Sequence, residues 1–65
     1  MTNAEMTRRI GNLSSEVVAL GLRMISQGYG ARGMSFDLPV TLKQANALFH
    51  LADLNARNAR RLASA

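Results

Sequence analysis

Three groups of residues have types that could do chemistry. Gly28, Gly30 and Gly33 in GYGARG match the spacing GxGxxG, whose glycines let a backbone wrap a pyrophosphate. That use requires a strand before the motif and a helix opening at its end. Here a helical pattern precedes the motif and an alternating segment follows it, so the glycines read as a helix-terminating turn. His50 is the single histidine. On a helix it shares a face with Asn46 and Asp53, and Asp53 could orient the imidazole as an acid–base pair requires. No nucleophile accompanies the pair, and the face otherwise carries Lys43, Arg57 and Arg61, so His50 reads as a surface residue. Glu5, Glu16, Asp37 and Asp53 are too scattered to reach metal-ligand spacing with it. The expectation is a non-enzyme with no cofactor and no metal.

The third group is basic. Lys and Arg number 8 against 4 Asp and Glu, for a net charge of +4. Lys43, Arg57, Arg60 and Arg61 concentrate this charge in the last third of the chain. Two readings stay open: the arginines complement a helix C-terminus and solvate its face, or they dock an acidic protein or a nucleic acid. If the first holds, DNA binding is weak and salt-sensitive. Arg9, Glu16 and Arg23, spaced seven apart, read as a solvated charge row.

The elements that position these residues are helical. Thr2 stands three residues before Glu5, the spacing of a capping box. Met6, Ile10, Leu13, Val17, Leu20 and Met24 follow at alternating steps of 4 and 3, one stripe of a helix predicted over about 3–27. Gly11 and Gly21 weaken such a helix and suggest close packing. Gly28 supplies its left-handed end. A second box, Thr41 with Gln44 after Pro39 and Val40, opens a helix predicted over about 42–63. Its seam is Leu42, Ala45, Phe49, Ala52, Ala56, Ala59 and Ala63, with Leu48 and Leu62 on one flank. Between the helices, Met34, Phe36 and Leu38 alternate at period two. They predict a short extended segment, laid over the helices or paired with its copy in another subunit.

A chain of 65 residues without cysteine has room for one small domain, and its core supplies only about 3–5 kcal/mol. Disulfides are excluded, so the expected additional support is self-association. The fold class predicted is all-α: a single domain over 1–65, an antiparallel two-helix hairpin that dimerises into a four-helix arrangement. Met6, Ile10, Leu13, Val17, Leu20, Met24 and Phe49 are its core and dimer residues. No run approaches a membrane span, and polar residues after Arg8 and Arg9 interrupt any signal-peptide core. A cytoplasmic protein is expected.

A hairpin leaves apolar residues over. Leu51, Leu54, Tyr29 and Phe36, rimmed by Arg57 and Arg61, have the composition of a protein-binding hot spot. The other reading places Phe36 and Leu51 in the dimer core. Met34 to Asn55 also imitates the opening of a ribbon-helix-helix repressor, whose paired strands enter the major groove. Against it, Ser35 and Asp37 would point outward where readers place Arg, Lys, Asn or Gln, and the second helix of that fold is missing. A small dimeric DNA-binding regulator remains the alternative function.

The opening MTNAEMTRRIGNLSSEVVALG, the connection QGYGARGMSFDLPV and the segment LPVTLKQANALFHLADL together resemble the small early proteins of Mu-like Pseudomonas phages, in particular the anti-quorum-sensing proteins. The resemblance spans nearly the whole chain and rests on overall pattern, with no diagnostic motif. It implies a dimeric two-helix protein that binds a LuxR/LasR-type quorum-sensing transcription activator, keeps it from DNA, and also binds the type IV pilus assembly ATPase. The charge departs from what that implies, because a cover for a basic DNA-reading surface would be acidic. Docking by a +4 chain would have to be mainly apolar and geometric, or reach an acidic flank.

Overall fold

The computed structural model describes residues 1–64, and among them the chain forms four helices and no strand: α1 (Asn3–Ile10), α2 (Ser15–Ser26), α3 (Ala31–Asp37) and α4 (Leu42–Ala63). The all-α class holds, while the predicted pair of helices becomes four.

The helix predicted over about 3–27 is broken. Thr2 caps α1, its hydroxyl accepting the Glu5 N–H at 3.1 Å. The Glu5 carboxylate does not complete a box and lies 3.8 Å from the Arg9 guanidinium instead. Gly11 closes α1. Ser14 then takes an extended conformation and caps α2, its hydroxyl accepting the Val17 N–H at 3.2 Å. One straight helix of 25 residues would be about 37 Å long, too long for both of its ends to lie on one small core. The break lets α1 and α2 each pack against α4, and Ile10, Leu13, Val17 and Met24 still reach the core. Leu20, expected among the core residues, is 46% exposed, because the turn at 11–14 resets the stripe. The charge row of Arg9, Glu16 and Arg23 is likewise divided between two helices.

The end of α2 is as expected. Gly28 has φ +96°, and the Tyr29 N–H reaches back to the Met24 carbonyl while the Gly28 N–H reaches that of Ile25, each at 3.0 Å. This nested pair satisfies carbonyls that a helix end leaves free.

The predicted extended segment is a helix. Period two in Met34, Phe36 and Leu38 hides a second pattern, Ala31, Met34 and Leu38 at steps of 3 and 4, and the helical one prevails. Met34 is fully buried and Phe36, two residues on and so on the opposite side of α3, is 87% exposed. Leu38, before Pro39, is extended at φ −119°, ψ 153°, as the proline ring requires of its predecessor. The strand that a ribbon-helix-helix reading needs is therefore not formed.

Pro39 frees the chain to begin α4 at the expected residue. Gln44 N–H donates to the Thr41 hydroxyl at 3.1 Å and Thr41 N–H to the Gln44 side-chain oxygen at 2.8 Å, a closed box. Val40 and Ala45, the staple positions on either side, are both buried. The core is the cluster of Met34, Val40, Ala45 and Leu48, with Ile25, Leu38 and Phe49 among its half-buried neighbours. Gly21 is the tight point of the fold, since a Cβ there would lie 2.7 Å from Leu48 Cδ1. Only glycine lets α2 approach α4 this closely.

Helix α4 is thus a spine touched by each of the other three helices. Its fully buried residues, Ala45, Ala47 and Leu48, all lie in its first half. From Asn55 to Ser64 every residue is exposed, and these last turns reach beyond the packed body.

Candidate docking surface

The six residues singled out for partner binding fall into two places. Tyr29 and Phe36 flank the short helix α3. The Tyr29 ring lies against Gly33, where a Cβ would come within 3.3 Å of Tyr29 Cδ2, and Phe36 follows Gly33 by one turn on that side of the helix. Tyr29 is 39% exposed, so the two aromatics make a corner facing solvent, and the missing side chain at Gly33 leaves room for the Tyr29 ring. Leu51, Leu54, Arg57 and Arg61 belong to α4. Leu51 and Leu54 are half-buried, whereas Arg57 and Arg61 are exposed. α3 joins the core through Met34, in the cluster that holds Leu48, and Arg61 is about 20 Å along the helix axis from Leu48. Arg57 is about 13 Å along the same axis from Leu48, so the two arginines stand on the helix extension and the two aromatics beside α3.

Among the core residues expected, Met6 is buried, and Ile10, Leu13, Val17, Met24 and Phe49 are half-buried against the cluster. Sequence periodicity put Phe49 on the seam and Leu48 on its flank, yet Leu48 is the sealed residue. Three helices surround this stretch of α4, so burial there spreads beyond one stripe.

His50 has a structural partner. Its Nε2 is 3.0 Å from the Asn3 side-chain oxygen; as the N–H tautomer it donates to that oxygen and ties the start of α1 to α4. Asp53, proposed as its orienting carboxylate, instead pairs with Arg57 at 2.9 Å between Asp53 Oδ2 and Arg57 Nη2. The acid–base pairing of His50 with Asp53 is not made. The GxGxxG glycines lie between two helices, with Gly30 capping α3, so no strand leads into them.

Among the described residues no cavity forms, and no three His, Asp or Glu side chains gather where a metal ion could be held. Among them, too, no helix is long and apolar enough to cross a membrane. The surface offers contact chemistry: exposed aromatics on α3, and an arginine-bearing apolar extension on α4. Leu62, on the flank that the periodicity predicts to be packed, is 78% exposed on that extension, because periodicity cannot tell which turns of a long helix have neighbours. No family model matches the chain, and comparison with characterised proteins and with solved structures finds no match.

Proposed function

We propose that the protein is a non-enzymatic inhibitor that docks on a host bacterial protein through the Tyr29 and Phe36 corner. The observation that carries this reading is the 87% exposure of Phe36. A phenyl ring left in water on a helix only seven residues long gives up the burial that would stabilise so small a fold, and large exposed aromatics of this kind anchor protein interfaces. Tyr29 adds a second ring with a polar tip, suited to the margin of such a contact.

The resemblance to phage anti-quorum-sensing proteins selects the target to test first, a LuxR/LasR-type transcription activator in the host cytoplasm, and the type IV pilus assembly ATPase second. An aromatic anchor suits a +4 chain better than charge pairing with a basic DNA-reading surface, because it depends on shape and desolvation. The test is the operator-binding assay of a purified LasR-type activator with this protein added. Wild type should suppress the operator complex, and Phe36→Ala should weaken suppression by roughly 30-fold, the loss of one hot-spot anchor, with an unchanged thermal melt. Full activator binding in the presence of wild type would overturn the target. Equal potency of Phe36→Ala would overturn the site.

A further inference from the structure

The second exposed surface lies on a different element and calls for a different occupant. From Ala52 onward, α4 keeps the apolar stripe of its packed half: Ala52, Ala56, Ala59 and Ala63, with Leu62 alongside. None of the residues on it is charged. Arg57 and Arg61 lie on the opposite face and Arg60 at the margin, as the 100° step of a helix dictates. Every one of these residues past Ala52 is exposed.

Two further measures show that surface is left over. The accessible area is 4597 Å², against about 4,000 Å² for a compact monomer of this mass. The radius of gyration is 11.8 Å, against about 10.7 Å expected for the length. The excess of roughly 600 Å², summed over the whole chain and including Leu62 at 78% exposure on this stripe, is of the order of the roughly 800 Å² that each partner buries in a standard interface.

We infer that the C-terminal half of α4 pairs antiparallel with the same segment of a second copy, about a two-fold axis near Ala59. The stripe is complementary to itself in that register. Ala59 meets Ala59, where small side chains allow two helices to approach closely, and each Leu62 falls opposite Ala56 of the other copy, a large residue over a small one. Ala63 falls opposite Asn55. The arginines of both copies remain in solvent, so an uncharged face is covered and no charge is buried. A nucleic acid would engage the other side of the same helix.

Because the chain has no cysteine, single-cysteine variants report the register directly. In sedimentation experiments the wild type should pass from monomer to dimer between about 1 µM and 1 mM, the range set by an interface at the small end of the stable class. Raising the salt should strengthen the dimer by screening the arginines. Leu62→Glu should remain monomeric throughout with the wild-type melt at low concentration, and Arg61→Ala should still dimerise. Under oxidation, Ala59→Cys should cross-link at least tenfold faster than Arg57→Cys. A wild type that is monomeric over the whole range overturns the proposal. So do a Leu62→Glu variant that dimerises like wild type and equal cross-linking at positions 57 and 59.

Discussion

The two halves of α4 have similar composition and opposite surroundings. Ala45, Ala47 and Leu48 are sealed in the packed body, while Ala56, Ala59 and Leu62, an equivalent apolar set about three to four turns on, face solvent. Alanine and leucine are strong helix formers in both places, so local propensity sustains the helix throughout, and tertiary packing distinguishes the halves. Stability should therefore reside in the first half. The second half is helix available for contact, its end favoured by Arg60 and Arg61 near the C-terminal dipole.

Truncating equivalent leucines gives the largest contrast. Leu48→Ala removes a fully buried side chain from the centre of the core and should cost about 2–5 kcal/mol, enough to unfold a domain of this size. Leu62→Ala, measured below the association range, should change stability by no more than about 0.5 kcal/mol. Chemical denaturation of the two variants checks both values, and equal losses would erase the distinction between the halves.

Next in size is Gly21→Ala. Helix propensity alone predicts a gain of about 1 kcal/mol. The added Cβ would stand 2.7 Å from Leu48 Cδ1, and overpacking of a close-packed core costs about 1–3 kcal/mol. Net destabilisation is the expected sign, and a raised melting temperature would show that α2 can withdraw from α4 freely.

The parts of this fold that were legible in the sequence are those set by local hydrogen bonding. Thr41 with Gln44 identified the start of α4, and Gly28 the end of α2, because each depends on residues within one turn. The break at 11–14 depends on tertiary economy. Six apolar residues at perfect helical spacing run straight through Ser14, which the structure shows to be a cap, and only the position of α4 shows why two shorter helices bury more. Helix α3 was obscured by a pattern compatible with two periods, and Met34 settles it by entering the core. The exposure of Phe36 follows from that choice of period. As for α4, a continuous stripe says which face is apolar and cannot say how far along it the neighbours extend.

A smaller effect tests the cap of the packed half. Thr41→Ala breaks the closed hydrogen-bond pair with Gln44 and should cost about 1 kcal/mol. Smaller again is the exposed pair at the boundary of the two halves. Arg57→Gln loses the contact with Asp53 and should cost at most about 0.5 kcal/mol, a value that disappears in high salt. Thermal melts at low protein concentration would rank the two, and a reversed ranking would place unexpected stability in the extension.

The division of α4 into a core half and a pairing half is tested most directly by amide hydrogen exchange, read residue by residue at two protein concentrations. Amides of Ala45 to Ala52 should exchange only through global unfolding at low concentration, whereas those of Ala56 to Ala63 should exchange fast when dilute and gain at least tenfold protection when concentrated. Protection of the two segments that is equal in dilute solution, or an extension whose exchange ignores concentration, would contradict it.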